Sequence, residues 1–529
     1  MGIVPYERIT NRKNDAGRFG GVEVAIKYEP KILQCLPVVM GVFIYFHKLC
    51  IPFQKERCYD KEKHQEGTAM KFEQHLQVID REKKKLCAVS DALWENPETS
   101  LGEYAAEELL TGVLVDYGFT VTRGVAGIPT AFTATYGSGY PHLGVLAEYD
   151  GLSGMSQEAG IAEKKSIPGK DTNHGCGHNL FAGGSIGAAL AVKDYIEKTG
   201  HGRITLFGCP GEEGGGGKVF MAREGIFSDV DSVVSWHPEK MYMVRTRPAL
   251  ANIKVNYTFE GLAAHAGAAP HLGRSALDAV ELMNIGCNFL REHMELISRV
   301  HYAILDAGGY APNMVQSHAV VQYLIRAVDM DSVRDLHARI DRIAQGAALM
   351  TDTTFTTQVV SAYANLVTIP TLQATANEAM HDVPLPVPTE EEIAFAKALQ
   401  ATVKLSAADK ALPPLATQVL DPAPPVAHGG STDTADVSWN CPTVQMHIAT
   451  WAVGTPGHSW QSTAQGKGSY AKKAMLYAGK AVAATLLRLM ENPELIEKAK
   501  AEHKAKIGQG YICGLPADLA PDIQPRPEK

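Results

Sequence analysis

From Met70 onward the apolar positions fall into short, regular periods. Phe72, Leu76 and Ile79 recur on one face of a helical pattern, which predicts a helix ending at the Asn96-Pro97 turn. Ser100 then precedes Glu103 at capping-box spacing, so a second helix is expected to reach about Asp116. The apolar runs at His142–Ala147, Ile204–Gly208 and Ser232–Trp236 predict buried strands, with the small-residue stretch Gly183–Ile196 as a helix among them. Strands alternating with helices imply an α/β fold with a mostly parallel sheet covered on both faces.

The rhythm changes near Ala249. Ala251–Phe259, Val300–Leu305, Ala319–Ala327 and Thr354–Tyr363 read as strands, and Ser275–Met294 and Asp331–Met350 as helices. The order β-α-β-β-α-β is that of a split ferredoxin-like (α+β) unit, inserted between two stretches of the first pattern. That pattern returns after the Pro-rich turn at Pro384–Pro388, with a helix at Glu390–Leu405, a strand at Thr443–Ile448 and a helix at Ser469–Met490. A tail from Pro516, rich in Pro and Asp, is expected to fray. The expected organisation is thus an N-terminal extension (1–69), one domain made from 70–248 and 364–505, an inserted domain (249–363) and a tail (506–529).

Composition narrows the function classes. A chain of 529 residues exceeds what one hydrophobic core usually supports, and 45% hydrophobic with 20% charged residues is an ordinary globular balance. The formal net charge of −8 offers no basic field, which argues against nucleic acid as a partner. Nine cysteines, an odd number without a CxxC pair, suit a reducing compartment, so a cytoplasmic location is expected. The apolar run Cys35–Phe46 is shorter than the roughly 20 residues of a spanning helix. It reads first as part of an extension outside the core, with a membrane anchor or a buried segment as the remaining alternatives. The mixed-charge stretch Lys55–Glu66 reads as a linker.

Four segments, each after a predicted strand or in a loop feeding a helix, carry candidate chemistry. Asp171-Thr-Asn-His-Gly-Cys-Gly-His178 supplies a thiol and imidazoles among glycines that let the backbone bend around a small centre. Cys, His and carboxylates are the donors zinc and its neighbours prefer, while the plain alternative is a Gly-rich turn with solvent-facing histidines. Pro210-Gly-Glu-Glu-Gly-Gly-Gly-Gly217 offers two carboxylates, one to bind metal and one to polarise water. Ser235-Trp-His237-Pro ends an apolar strand, and Gly454-Thr-Pro-Gly-His458 forms a late Gly/Pro loop. Alone, His237 reads as a structural histidine. Together, Cys176, His178, Glu213, His237 and His458 make five donors, a count that suits two metal ions.

With GCGHNL, GEEGGGG and SWHP in place, the chain resembles the metallopeptidases that include aminoacylase, carboxypeptidase G and the auxin-conjugate hydrolases. The likeness is strongest to the branch of p-aminobenzoyl-glutamate hydrolases and dipeptidase-like enzymes. It rests there on AHAGAAPHLGRSALDAVELMN (Ala264–Asn284), DAGGYAPNMVQ (Asp306–Gln316) and STDTADVSW (Ser431–Trp439), and covers roughly residues 70 to 500. The resemblance implies a catalytic α/β domain of the di-metal exopeptidase type, with the inserted domain acting as lid and homodimer contact. It implies two divalent ions (Zn, Mn or Co) on those five donors and Glu212 as general base. His265 is placed in the partner subunit's site to support the oxyanion, and Asn313 and Arg326 on the substrate carboxylate. Many relatives carry a His-x-Asp pair where this chain has Ala147-Glu-Tyr-Asp150, so Glu148 and Asp150 are expected behind the ligands, orienting an imidazole. His174 is either a supporting residue or without a role.

The expected activity is hydrolysis of an amide bond in a small carboxylate-bearing substrate: an N-acyl amino acid, a dipeptide or a p-aminobenzoyl-glutamate-like molecule. The alternatives are a non-catalytic metal-binding or dimerisation homologue, and a cysteine hydrolase using Cys176 and His178.

Overall fold

The computed structural model describes residues 69–422 and 430–527; the apolar run Cys35–Phe46 and the linker Lys55–Glu66 lie outside the described residues. The chain runs through α1 (Ala69–Glu95), α2 (Tyr104–Asp116), β1 (Thr120–Arg123), β2 (Phe132–Ser138), β3 (His142–Ala147), α3 (His178–Thr199), β4 (Gly202–Gly208), α4 (Gly217–Arg223), β5 (Ser232–Glu239) and β6 (Tyr242–Val244). Then come β7 (Ala251–Glu260), α5 (Ala276–Leu290), β8 (Arg299–Asp306), β9 (His318–Ala327), α6 (Met330–Thr351) and β10 (Thr354–Tyr363). The last part holds β11 (Val419–Leu420), α7 (Thr434–Asn440), β12 (Thr443–Ala449), α8 (Ser469–Glu491) and α9 (Pro493–Ile507).

Eight strands form one sheet in the order β1-β2-β4-β3-β5-β12-β6-β11. Its four central strands β4, β3, β5 and β12 are parallel. The sheet as a whole is mixed, because β1 and β2 run antiparallel to their neighbours and β6 antiparallel to β12. Sequence reading missed these outer strands for a physical reason. β1 is four residues long, polar and mostly exposed, without the apolar run that marks β3, whose six residues are all buried. Helices α3 and α8 pack on each other, with α1 against α3.

A second sheet, ordered β10-β7-β9-β8, is antiparallel throughout, and its six elements follow the order β-α-β-β-α-β. β9 alternates strictly between buried and half-buried residues, as expected of a sheet with one face packed, here against α5 and α6. Ser275 caps α5 and Asp329 caps α6, each side chain accepting a hydrogen bond from a backbone N–H three residues on.

Four local expectations are corrected. Ser100 and Glu103 form no capping box: Ser100 turns to Asp150 Oδ2 at 3.2 Å, and Glu103 accepts from the backbone N–H of Leu101 and Gly211. Glu103 is buried, so those donors compete successfully with the helix end. The tail from Pro516 does not fray, since Gln524 N donates to Leu101 O at 3.1 Å and Tyr104 Oη donates to Gln524 O at 2.9 Å. Finally, α3 starts five residues before Gly183, at His178, and β5 runs past Trp236 through His237. Among the described residues no helix is long and apolar enough to cross a membrane.

Candidate active site

The parallel strands deliver the candidate side chains at their carboxyl ends, where open α/β sheets gather ligands. Glu148 and Asp150 follow β3, the GEEGGGG turn follows β4, and His237 lies within the last residues of β5. The Cys176 loop precedes α3, and Gly177 before its first residue takes a left-handed φ of +79°. A Cβ there would lie 2.9 Å from Pro238, so glycine allows this loop to close on the His237 strand. Gly217 has no room either, since a Cβ would sit 2.0 Å from Pro210 O. The glutamate turn closes on itself, which fixes where Glu212 and Glu213 emerge.

Donor atoms within 4.8 Å of one another form three groups: Cys176, His178 and His237; Cys176, Glu213 and His458; and Glu148, His178 and Glu212. The five donors expected from sequence are therefore brought together, with Cys176 common to two groups. Cys176 Sγ lies 3.5 Å from His237 Nε2, and His458 Nε2 lies 3.2 Å from Glu213 Oε1. His458 adopts a φ of +53°, uncommon for a residue with a Cβ. Its loop is tied to the Cys176 loop, because His458 N and Ser462 Oγ both donate to Gly175 O.

Three buried atoms in this cluster make no hydrogen bond: Glu148 Oε2, His178 Nε2 and Glu213 Oε1. Buried polar atoms without a hydrogen bond are rare, and here imidazole, thiol and carboxylate atoms converge, a donor set suited to zinc, manganese or cobalt. The residues present therefore fit a metal centre.

Electrostatics follow from burial. Burial, then the charges of Glu148 and Asp433, raises Glu212 well above the usual carboxylate range. Burial also pushes the Cys176 thiol well up, and Glu213 adds to that rise. Burial would raise Asp150, but the charge of His178 and the bond to its Nδ1 at 2.9 Å hold Asp150 below its ordinary value. Burial lowers His174 to about 4, so its neutral ring donates through Nε2 to Leu93 O at 3.1 Å.

His265, Asn313 and Arg326 are not brought into this cluster within one chain. His265 is exposed and belongs to none of the three donor groups. Its Nδ1 accepts from the backbone N–H of Gly267 and Ala268, which leaves the proton on Nε2. Exposed Asn313 is its neighbour, since Ala266 N donates to Asn313 O at 2.9 Å. Arg326, half-buried on β9, donates from Nη1 to Ser431 Oγ at 2.6 Å.

Sequence reasoning missed two members of the site, Lys218 and Asp433. Lys218 is fully buried, with Nζ 2.6 Å from Asp433 Oδ1 and 2.8 Å from Glu148 Oε1. The available signal was a lysine leading straight into Val-Phe-Met after the four glycines, and an aspartate in a run of small residues.

Peptidase family M20/M25/M40 matches residues 146–489. The chain is 41% identical to a subunit of p-aminobenzoyl-glutamate hydrolase of Escherichia coli (strain K12) over 467 residues, covering 84% of this chain and 97% of that one. It is 27% identical to Xaa-Arg dipeptidase of Mus musculus, over 83% of this chain and 93% of the other. In fold it is similar to an aminobenzoyl-glutamate utilization protein from Klebsiella pneumoniae (TM-score 0.52, 18% identity, 75% of this chain and 97% of that one). A dinuclear metal-binding M20 peptidase from Bacillus subtilis is similar too (TM-score 0.50, 15% identity, 76% and 98%). The chain belongs to peptidase family M20/M25/M40 and is an amidohydrolase.

Proposed function

We propose that this amidohydrolase cleaves the amide bond of a small substrate bearing a free carboxylate, with Glu212 as general base beside a centre for two divalent ions. The carrying observation is the convergence of donors from four separate segments around Cys176, itself in one of them, together with buried donor atoms that lack hydrogen bonds. N-acyl amino acids, dipeptides and p-aminobenzoyl-glutamate-like molecules form the substrate class. The p-aminobenzoyl-glutamate hydrolase and Xaa-Arg dipeptidase relatives, as named, support that range.

Cys176, His178, Glu213, His237 and His458 would hold the ions. Bound there, zinc, manganese or cobalt supplies Lewis acidity toward the carbonyl and lowers the pKa of water. Glu212 has the high proton affinity of a buried carboxylate among like charges, which suits it to take the proton of the attacking water and pass it to the leaving nitrogen. Asp150 holds His178 through Nδ1 and so fixes which nitrogen faces the other donors. Arg326 is held through Ser431, two residues from Asp433, and with Asn313 would bind the substrate carboxylate in the fork geometry of a guanidinium.

In this reading residues 70–248 and 364–505 are the catalytic domain, 249–363 the lid and dimer contact, and the enzyme works in the cytoplasm as a homodimer. His265 Nε2–H of a second copy of the chain would then support the oxyanion. The cysteine-hydrolase alternative is disfavoured because Cys176 stands among metal-type donors on two sides, with His178 and His237 in one group and Glu213 and His458 in the other.

The test is Glu212→Gln, assayed on N-acyl amino acids, dipeptides and p-aminobenzoyl-glutamate together with metal content. The variant should keep its metal and lose about 10²–10⁴ in kcat. Normal turnover with metal bound, or wild-type activity indifferent to chelation, would overturn the assignment.

A further inference from the structure

We propose that Lys218, buried between Asp433 and Glu148, is a positioning residue that holds Glu148 as a sixth donor to the metal centre. The inference rests on the two-metal reading above. It departs from the sequence expectation, which places Glu148 behind the ligands as an orienting group.

The orienting role is already filled. His178 Nδ1 bonds Asp150 Oδ1 at 2.9 Å, which leaves Nε2 to face outward. Across from it, 3.2 Å away, stands Glu148 Oε2. At that separation a hydrogen bond is expected, yet the geometry makes none, and both atoms are buried without any hydrogen-bond partner. An imidazole nitrogen and a carboxylate oxygen this close, with no hydrogen bond between them, is how two donors stand around a shared cation. Glu212 lies in the same group of converging donor atoms.

The rest of Glu148 is held rigidly. Its Oε1 takes an ion pair from Lys218 Nζ at 2.8 Å and a weak bond from Thr434 Oγ1 at 3.5 Å. Lys218 is in turn fixed by Asp433, whose Oδ1 lies 2.6 Å from Nζ and whose Oδ2 accepts the Lys218 backbone N–H at 3.0 Å. All three side chains are buried, so the arrangement has little freedom to rotate. With one ammonium set against two carboxylates, the triad keeps an excess negative charge in a desolvated place. Such a charge needs a positive partner on its far side, at Glu148 Oε2, and there it is either a protonated His178 ring 3.2 Å away or a cation that the two side chains share.

The experiment uses the full chain, stripped and titrated with cobalt(II), reading affinity by chelator competition and the visible d–d bands. Glu148→Gln should weaken cobalt binding by more than the roughly 10–100-fold that loss of an outer partner costs, and should change the intensity of the bands, as loss of a donor does. Lys218→Met should alter the bands in the same sense although Glu148 is still present, because the carboxylate is no longer held. Should Lys218→Met fail to fold, Lys218→Met/Asp433→Asn removes one charge of each sign and carries the same readout. Wild-type affinity and bands in Glu148→Gln, or in a folded Lys218 variant, would overturn the inference while leaving the five-donor reading intact. A wild-type protein that binds no cobalt would overturn both.

Discussion

At the scale of single residues the sharing of Cys176 makes a prediction about stoichiometry. Cys176 belongs to both the His178/His237 group and the Glu213/His458 group, whereas His237 and His458 each serve one. His237→Ala and His458→Ala should each retain about one ion per chain under conditions where the wild type holds about two, and Cys176→Ala close to none. Metal analysis after equilibrium dialysis reads this directly, and equal losses in all three variants would contradict the shared role. The donors were legible because each sits in a Gly-rich loop or at the end of an apolar strand, where histidine or cysteine has little packing use. Lys218 was not legible. A lysine at the start of a helix normally points to solvent, and its burial depends on Asp433, 215 positions further along the chain. Residue spacing carries no trace of that pairing.

At the scale of elements the glutamate turn is the most constrained piece. With its Cβ position 2.0 Å from Pro210 O, Gly217 cannot accept even alanine without moving backbone. Gly217→Ala should lower stability by about 1–3 kcal/mol and cut kcat further than stability accounts for, since Glu212 shifts with the turn. Thermal unfolding and kinetics on the same preparation separate the two effects. A second element, α7, makes a pH prediction. Burial raises Asp436 to about 7, and its carboxyl accepts from Tyr511 Oη at 2.8 Å and Ala364 N at 3.0 Å. The folded chain therefore holds a proton that the unfolded chain gives up above about pH 4. The stability this adds is complete below that pH and is lost as pH rises through 7. Asp436→Asn lacks the titration, so the melting temperature of the wild type relative to the variant should fall between pH 4 and 8. A constant difference across that range would show that Asp436 is ionised throughout. Most long elements were legible in the pattern of the chain, because apolar runs and 3.6-residue spacing are local properties. The capping box at Ser100 failed because Gly211 and Asp150, brought near only by folding, take Glu103 and Ser100 away from the helix end, with the local Leu101 N–H as a further donor to Glu103.

At the scale of the whole molecule one proposed catalytic group is still unaccounted for within a single chain. His265 is exposed on the loop leading from β7 to α5, paired through backbone with the Asn313 loop, and stands in none of the donor groups. Yet its tautomer is set for donation, because Nδ1 is occupied by two backbone N–H groups. A donor so prepared and left facing solvent is accounted for if a second copy of the chain supplies the acceptor. This gives a test that needs no structure of the dimer. His265→Ala and Glu212→Gln should each be nearly inactive alone, yet mixing the two under subunit exchange should restore activity. Each mixed dimer then holds one site with Glu212 from one chain and His265 from the other. Random reassociation in equal amounts makes roughly half the dimers mixed, each with one working site, so about a quarter of wild-type activity is expected. If His265 serves its own chain, every site in the mixture lacks one group and no activity returns. The Escherichia coli relative is named as one subunit of its hydrolase, which also admits assembly with an unlike chain. In that case the mixture would stay inactive as well, and so would the wild-type chain purified alone, whereas an intrachain role leaves the wild-type chain active by itself.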